Sequence, residues 1–384
     1  MARGLKKFAI HRALDDCIGT IASYFFSLIK RRRKLPKIIK KICVIKLSGI
    51  GDAILTLPLL KKLKEKRKEV LVIAAKENFI VYKNQPFINE VILFDIKRLN
   101  FFRIFRFILK IKKRNIDVVI DTSQTANFSA ILSFLISKFC IGFANPKTPA
   151  RNKLYDVVIK QNPSKHMVFN FLNLGKPIGI KYNSKEINLI KLPFSKKDNK
   201  KIASMLRKSK NLVGLHPCSI FDYREWPKEN WVKIIEYLID RYNVNIVIVG
   251  SKEESLKVSQ LIEGIKEEYR GKIINLAGKL ELSELFALMP KLKLFIANDG
   301  GPMHVAAAQG IPVIGLFGTD TPLRYAPFNH KSLAIYANLP NHPCIKPWIK
   351  EFKPCGKCLK AIKVEKVKEA IDRIFKKANL KTLK

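Results

Sequence analysis

The chain has 384 residues, 47% of them hydrophobic and 27% charged, which excludes a disordered chain and leaves room for two domains with their own cores. Its 73 Lys and Arg against 31 Asp and Glu give a formal net charge of +42, which favours nucleic acid, an anionic membrane or a phosphorylated substrate as partner. A coding bias towards lysine would also produce basic surfaces, so charge alone does not choose among these. Seven cysteines in so long a chain do not resemble a secreted disulfide scaffold and indicate a reducing cytoplasm.

Residues 1–40 form a basic extension that contains an apolar stretch from Ile18 to Ile29. A helix that spans a bilayer needs about 20 apolar residues, so this stretch is too short. No small-residue cleavage site follows it, which argues against a signal peptide. Two interpretations remain: a helix on an anionic membrane surface with its Lys and Arg facing the headgroups, or an ordinary helix packed on the first domain.

From Lys41 onward, apolar strands alternate with helices. Strand patterns in a first domain, residues 41–207, are KICVIKLS, EVLVIAA, EVILFD and NIDVVIDTS. Those in a second domain, residues 208–384, are NLVGLHP, VNIVIVG, KIINLAG, KLFIAND and IPVIGLFG, and the helix VEKVKEAIDRIFKKA ends the chain. Uniformly apolar strands separated by helices predict an α/β protein of two doubly wound domains with parallel sheets. Ligands are expected in a cleft at the carboxyl ends of both sheets.

The first candidate site is KLSGIGD, at the end of the first strand. Gly49 and Gly51 would let a ligand approach the backbone, and Asp52 opens the following helix. A carboxylate there can take a proton from an attacking hydroxyl. The alternative is that Asp52 only complements the helix dipole, which is worth about 0.3–1 kcal/mol.

A second basic feature is the predicted helix NFFRIFRFILKIKKR. Its cations share one helical stripe and are surrounded by Phe and Ile; they are Arg103, Arg106, Lys110 and Lys113. The helix either covers the first sheet or docks on anionic lipid.

In the second domain, the loop after the strand ending at His216 contains Ser219 and Arg224. Arg224 could bind a diphosphate bidentately or form a surface salt bridge. After the next strand, Glu253 or Glu254 could accept hydrogen bonds from a ribose.

The sequence DGGPMH, which follows the strand KLFIAN, places two glycines and a proline at the start of a helix. Gly300 and Gly301 leave the free N–H groups of that helix open to an anion, and Pro302 suits its first turn. His304 could add a donor to the same phosphate, and Asp299 could fix the loop. The alternative is a tight turn with a histidine in the core.

The span from Ile42 to about Phe328 resembles the family 9 glycosyltransferases, the ADP-heptose:lipopolysaccharide heptosyltransferases. The similar segments, in matching order, are Ser48 to Asp52, Asp121 to Ser129, Gly142-Phe143, Arg224 to Pro227, INLAGKLELSEL, Asp299 to His304 and PVIGLFG. The resemblance implies a GT-B fold, an inverting mechanism, no required cofactor or metal, and ADP-heptose or a related nucleotide sugar as donor.

The resemblance also assigns roles. Asp52 matches the catalytic aspartate. The acceptor side would contain Ser48, Gly49, Gly51, Asp121 and Gln124, and the donor side Ser219, Arg224, Glu253, Glu254, Asp299, Gly300, Gly301 and His304. In two places the chain departs from the family, with Gly300 for a usual Ser or Thr and Arg224 for a usual Lys. Both departures concern the identity of the donor.

The segment HPCIKPWIKEFKPCGKC contains four residues with the spacing of zinc ligands: His342, Cys344, Cys355 and Cys358. They form either a structural metal site or free thiols or a disulfide. A Cys-rich tail without a catalytic role is common in the resembled family.

The sequence therefore predicts a glycosyltransferase that adds heptose to the lipopolysaccharide inner core, as a peripheral protein on the cytoplasmic face of the inner membrane. Expected partners are the nucleotide sugar, a lipid-linked oligosaccharide acceptor and the anionic membrane surface. Alternatives are a transferase for another nucleotide sugar, an epimerase of the same fold, or a nucleic-acid-binding protein. Against the last, the basic residues are spread along the chain without a nucleic-acid-binding module, so no nucleic acid partner is expected.

Overall fold

The structure is a computed structural model that describes residues 15–30, 33–95, 101–207, 209–337, 339–340 and 358–377. The chain divides into two compact units, Met1–Ile187 and Asn188–Lys384. Each unit is built around one six-stranded sheet in which every pairing is parallel.

The sheet of the first unit has the strand order β3-β2-β1-β4-β5-β6. Its strands are β1 (Lys41–Lys46), β2 (Glu69–Ala75), β3 (Glu90–Phe94), β4 (Ile116–Asp121), β5 (Ser137–Phe143) and β6 (Val157–Ile159). Its helices are α1 (Thr20–Ile29), α2 (Ile50–Glu65), α3 (Phe79–Tyr82), α4 (Phe101–Lys112), α5 (Asn127–Ile136), α6 (Pro149–Lys153) and α7 (Met167–Asn173). The central strands are apolar on both faces because helices cover both, and Ile42 to Ile45 have no exposed surface.

The sheet of the second unit has the order β12-β11-β10-β7-β8-β9. Its strands are β7 (Leu212–His216), β8 (Asn245–Ile248), β9 (Ile273–Asn275), β10 (Leu292–Asn298), β11 (Val313–Phe317) and β12 (Leu333–Tyr336). Its helices are α8 (Lys196–Met205), α9 (Lys228–Tyr242), α10 (Ser255–Glu263), α11 (Glu267–Arg270), α12 (Leu282–Leu288), α13 (Gly301–Ala308), α14 (Pro322–Tyr325) and α15 (Val364–Lys377). The terminal helix α15 is held on this unit, where Trp226 donates its indole N–H to the carbonyl of Ile362 at 3.0 Å.

Two doubly wound α/β units with parallel sheets confirm the predicted fold class. Three strands, β5, β6 and β12, were not predicted. β5 begins at the residue after α5 ends, so no turn signal separates the helical pattern of apolar residues from the strand pattern. β6 and β12 are short edge strands that are only partly buried. The units divide after Ile187 rather than after residue 207. The reason is that α8 packs in the second unit, where Lys201 contacts Glu284 of α12 at 2.7 Å.

The N-terminal helix α1 packs on the first unit. Its Ser23 is fully buried, and Phe26 meets Phe134 of α5 with ring centroids 5.9 Å apart. The basic block after α1 does not all face outward as expected: Lys30 pairs with Asp156 at 3.0 Å, and Arg33 donates to the carbonyls of Phe134 and Ser137. Over the described residues, no helix combines the length and apolarity needed to cross a membrane.

Candidate active site

The carboxylate of Asp52 lies in the first turn of α2, directly after the carboxyl end of β1. Gly49, the residue before the helix, has a φ of +75°, a conformation that a side chain disfavours. The amide of Ala53 donates to the carbonyl of Gly49 at 3.1 Å, which closes the turn. This sharp reversal brings Asp52 back over the strand end.

Lys46, the last residue of β1, donates from Nζ to Oδ2 of Asp52 at 2.7 Å. The lysine side chain is 3% exposed and that of Asp52 is 19% exposed, so the cation is buried and the carboxylate reaches the surface. The Lys46 ammonium also lies 5.6 Å from the ring centre of Phe171. The buried cation therefore fixes one carboxylate oxygen of Asp52. Lys46 was not singled out from the sequence, where its one signal is a lysine that ends β1 after four buried apolar residues.

Asp121, an expected acceptor-side residue, is instead fully buried and bonded within the protein. Its Oδ2 accepts from Ser129 Oγ at 2.7 Å and from the Tyr155 hydroxyl at 2.6 Å, and it lies 3.7 Å from Nη2 of Arg151. Burial raises the pKa of Tyr155 well above its usual value, so the phenol remains a neutral donor. Asp121 therefore positions the loop after β4 and is not available to a ligand.

Arg151 organises the same loop and was also missed. Its guanidinium is fully buried and donates to the carbonyls of Ser123, Ala126 and Phe143 at 2.8, 2.8 and 2.9 Å. The Gly142-Phe143 motif is explained by Tyr155, because a Cβ at Gly142 would lie 2.3 Å from the phenol ring.

The remaining acceptor-side residues lie closer to solvent. Ser48 is exposed, and Gly51 and Gln124 are half-buried. With Asp52 they lie in the loop and first helical turn after β1 and in the loop after β4, and these two strands are neighbours in the sheet. The structure thus brings the two predicted segments of this unit to one sheet edge.

In the second unit, the expected donor residues follow β7, β8 and β10, three adjacent strands. Asn298, at the end of β10, joins two of these loops. It is fully buried, donates to the carbonyl of Pro217 at 2.7 Å and accepts from the amide of Trp226 at 3.3 Å. The loop between Pro217 and Trp226 is therefore anchored at both ends beside the start of α13. Asn298 was not predicted as a site residue, although it precedes Asp299 directly.

Within this loop, Nη1 of Arg224 lies 3.6 Å from Oδ2 of Asp299. Glu225 accepts from the Ser219 amide at 2.9 Å and from Lys257 at 2.8 Å, and Lys257 also bonds Asp222 at 2.7 Å. Burial alone would lower the pKa of Lys257, but the carboxylates of Glu225 and Asp222 have the larger effect and raise this pKa above its usual value. Arg224 and Asp299 are therefore paired, as expected of neighbouring groups at one site, and Lys257 locks the loop.

Glu253 and Glu254 have different environments. Glu253 is exposed, whereas Glu254 accepts from the Ser251 amide at 2.7 Å and lies 3.4 Å from Nε2 of His216. Burial alone would raise the pKa of Glu254, but the hydrogen bonds and charge of His216 and the bonds of Ser251 hold it below its usual value. The carboxylate lies beside Gly250, where an added Cβ would come within 3.2 Å of Glu254 Oε2. His216 joins the candidate site as a residue that the sequence did not single out.

The helix α13 begins at Gly301, and Pro302 stands in its first turn as predicted. Gly300 caps it with φ of −176°, an extended conformation that any residue adopts, and a Cβ there would find only ordinary contacts at 3.8 and 3.9 Å. His304 is 3% exposed and its ring centre lies 6.4 Å from that of Tyr325. Asp299 lies two residues before α13 and 3.6 Å from Nη1 of Arg224, so the guanidinium lies near the start of this helix. A cation near the N–H groups of a helix start suits a phosphate.

The metal-site hypothesis lies mostly outside the described residues, which do not include His342, Cys344 and Cys355; Cys358 is described and fully buried. Among the residues that the structure does describe, no three His, Cys, Asp or Glu side chains form a metal-binding group. Burial raises the pKa of the thiols of Cys43, Cys140 and Cys218 to about 12, so they are unreactive.

Two doubly wound α/β units, with a carboxylate at a helix start in one and a glycine-rich helix start in the other, are typical of GT-B glycosyltransferases. The model of the family described as glycosyltransferase family 9 (heptosyltransferase) matches residues 104–351, more than half of the chain. The chain belongs to this family, and it is a glycosyltransferase.

Curated relatives agree. The lipopolysaccharide core heptosyltransferase OpsX of Haemophilus influenzae is 28% identical over 295 residues, which cover 76% of this chain and 82% of that protein. The lipooligosaccharide heptosyltransferase 2 of a Campylobacter jejuni strain is 24% identical over 336 residues, 85% of this chain and 96% of that protein.

Solved structures show the same fold. A family 9 glycosyl transferase from Veillonella parvula superposes with a TM-score of 0.77 at 20% identity, and the match covers 90% of this chain and 100% of that one. The E. coli ADP-heptose lps heptosyltransferase II gives a TM-score of 0.71 at 20% identity, covering 88% of this chain and 99% of that one.

Proposed function

We propose that this glycosyltransferase moves a heptose from ADP-heptose to a lipid-linked inner-core acceptor of lipopolysaccharide, with inversion at the anomeric carbon. The observation that carries the proposal is the partly exposed Asp52 carboxylate held by the buried Lys46 ammonium at 2.7 Å. Family membership supports the reaction class, and the names of the relatives support the donor and acceptor.

In the proposed reaction, a hydroxyl oxygen of the acceptor attacks the anomeric carbon of the donor. The bond from that carbon to the diphosphate oxygen breaks, and ADP leaves with the bonding electrons. Asp52 takes the proton of the attacking hydroxyl as the new bond forms. Because attack occurs opposite the leaving group, the anomeric configuration inverts.

The leaving diphosphate gains negative charge, and the second unit supplies positive groups to stabilise it. These are the N–H groups at the start of α13, the Arg224 guanidinium and, one turn into the helix, His304. We propose that these groups act without a metal ion. Glu254, with Glu253 beside it, is the proposed contact for the ribose, and Ser219, Asp299, Gly300 and Gly301 complete the donor site.

Two residues make the identity of the donor the point to test. Gly300 stands where the resembled family usually has a Ser or Thr hydroxyl, and Arg224 stands where it usually has a lysine. A thermal-shift panel of ADP, UDP, GDP and their sugars tests the donor directly. We expect ADP-heptose to raise the melting temperature most, and a response to UDP-sugars alone would refute the donor assignment.

Product analysis tests the reaction. Transfer to a heptose-deficient lipopolysaccharide acceptor should give a product whose anomeric configuration, read by NMR, is opposite to that of the donor. Activity should survive treatment with a chelator. Retention of configuration, or loss of activity that added metal restores, would contradict the mechanism. We further propose that the enzyme works as a peripheral protein on the cytoplasmic face of the inner membrane, where its acceptor is made.

A further inference from the structure

The outer side of helix α1 is apolar and exposed. The inner side packs on the first unit through Ser23 and Phe26, whereas Ile21 and Leu28 on the outer side are each 70% exposed. The exposed large side chains are Ile18, Ile21, Tyr24, Phe25, Leu28 and Ile29. Their helical spacing places them on one side, and no charged residue occurs between Thr20 and Ile29. A soluble helix would normally place polar residues on this side.

Helix α4 has a second exposed apolar stripe. Phe102, Phe105 and Leu109 are spaced by three and four residues, so they align, and Phe102 is 75% exposed. A parallel stripe of cations runs beside them, formed by Arg103, Arg106, Lys110 and Lys113. The interpretation that this helix covers the first sheet is supported, because its inner residues Phe107 and Ile111 pack in the core of that unit.

The two stripes lie on the same face of the first unit. The connections from β3 to β4 and from β4 to β5 run in one direction across the sheet, so right-handed crossovers place α4 and α5 on one face. Helix α5 contacts α1 through Phe134, and its Phe128 stacks at 5.3 Å on Phe94, which also meets Phe107 of α4 at 4.8 Å. Helix α5 therefore lies between α1 and α4.

Exposed cations occur in the segments that carry the two apolar stripes. Lys30 and Arg33 are used to hold α1 on the unit, but Lys34 and Lys37, which follow in the chain, are exposed. With the stripe of α4, they supply positive charge beside apolar side chains. This combination fits a layer of anionic headgroups above acyl chains. If two copies of the chain associated through this face, the cations of one copy would lie against those of the other. Their repulsion disfavours such a dimer.

We propose that the exposed sides of α1 and α4, here called the docking face, bind the surface of a bilayer that contains anionic phospholipid. The apolar side chains would enter the boundary between headgroups and acyl chains, and the cations would contact lipid phosphates. The proposal rests on the proposed function only for the role of the docking face, which would be to bring the first unit to a lipid-linked acceptor. Vesicle binding needs neither donor nor acceptor, so it is tested separately.

The test is flotation of the full chain with vesicles of phosphatidylcholine alone or of equal parts of phosphatidylcholine and phosphatidylglycerol. We expect binding to the mixed vesicles that weakens as salt is added. The triple variant Ile21→Ser/Phe25→Ser/Leu28→Ser should lose at least about tenfold in affinity, since each substitution removes most of an apolar side chain that the bilayer would bury. Its control is Leu256→Ser, which changes an equally exposed leucine of the second unit and should bind as wild type does.

Charge is tested by a matched pair of variants. Arg106→Glu/Lys110→Glu alters the docking face, whereas Lys197→Glu/Lys200→Glu makes the same change of net charge on α8. Each cation at a membrane surface contributes about 1 kcal/mol, or roughly fivefold, so the first variant should weaken vesicle binding by at least about 20-fold and the second far less. Equal losses from the two variants would overturn the docking face in favour of general attraction.

Two further results would also overturn it: wild-type vesicle binding by the triple variant, or a dimer in light scattering that the triple variant dissociates. Circular dichroism and the ADP-induced thermal shift confirm that each variant is folded. A chain that binds mixed vesicles as expected and yet transfers no sugar would refute the proposed function and leave the docking face intact.

Discussion

Lys46 and Asp52 form an ion pair of 2.7 Å across the turn that joins β1 to α2, with the lysine buried and the carboxylate partly exposed. The pair holds in place the carboxylate that we propose as the base. The buried ammonium fixes one oxygen of Asp52, and the side chain remains partly exposed, as contact with an acceptor hydroxyl requires. A proton moved to Asp52 would weaken this pair, so transfer of the proton late in the reaction suits the site.

Replacing Asp52 is expected to remove the base without disturbing the donor site. Asp52→Ala should lower kcat by about 10²–10⁴-fold, the usual contribution of a general base, and leave donor affinity nearly unchanged. Glu65→Ala, at the exposed end of the same helix, is the control and should be fully active. Both quantities are measured by transfer kinetics and by titration with ADP. Wild-type turnover in Asp52→Ala would exclude Asp52 from the chemistry.

Removing the partner of Asp52 should affect turnover. In Lys46→Met the carboxylate loses the hydrogen bond that holds it at the start of α2, so we expect a lower kcat with donor affinity nearly unchanged. Lys62→Met removes a partly exposed lysine that pairs with Glu65 on the same helix and should change neither quantity. Transfer kinetics and ADP titration measure both, and a wild-type kcat in Lys46→Met would show that Lys46 does not position Asp52.

The N-cap of α13 should tolerate a side chain. Gly300→Ser introduces no strain, because the backbone is extended and the space is open, and we expect a gain of a few tenths of a kcal/mol in stability. If the phosphate binds here, the new hydroxyl should also increase the affinity for ADP. In contrast, Gly142→Ala drives a methyl group into Tyr155 and should cost about 1–3 kcal/mol. Urea unfolding and ADP titration give both results, and unchanged ADP affinity in Gly300→Ser would place the phosphate elsewhere.

The buried network around Asp121 should matter to stability. Arg151→Met leaves a buried carboxylate without its cation and is expected to cost about 3–5 kcal/mol. Tyr155→Phe removes one hydrogen bond to the same carboxylate and should cost about 1–3 kcal/mol. The control is Arg241→Met, which breaks an exposed pair with Asp372 and should cost far less. Equal unfolding free energies for the two arginine variants would contradict the structural role of Arg151.

Glu254 should make the free energy of unfolding depend on pH. Its pKa is lower in the folded protein than in the unfolded chain, so it stabilises the fold above its unfolded pKa of about 4.5 and loses this effect as pH falls through the folded value. Glu254→Gln should therefore be less stable than wild type near neutral pH, and the difference should shrink at about pH 4. Glu253→Gln, an exposed neighbour, should show no such dependence. A difference that is constant with pH would contradict the interaction with His216.

Much of the architecture followed from local patterns. Uniformly apolar strands between amphipathic helices predicted two parallel doubly wound domains, and the structure has them. The order of glycines, Asp52 and the segment from Asp299 to His304 predicted where two sheet edges would be exposed to ligands. The predicted turns at Gly49 and the start of α13 were correct in position because both depend on residues close in sequence.

Local sequence patterns did not predict the contacts between segments that are distant in the chain. The family resemblance placed Asp121 on the acceptor side, but in the structure it is fully buried and contacts Tyr155 and Arg151 from a later part of the chain. The edge strands β6 and β12 carry too short an apolar run to be predicted, and pairing with a neighbour defines them.

By itself, the sequence determined the fold class, the family and the location of the loops that bear the candidate site, since these depend on periodicity and on motifs a few residues long. Only the tertiary structure decided which charges are buried and which side chains they meet, because burial depends on what packs against a residue from elsewhere in the chain. That difference separates Asp52, whose carboxylate reaches the surface, from Asp121, whose carboxylate does not.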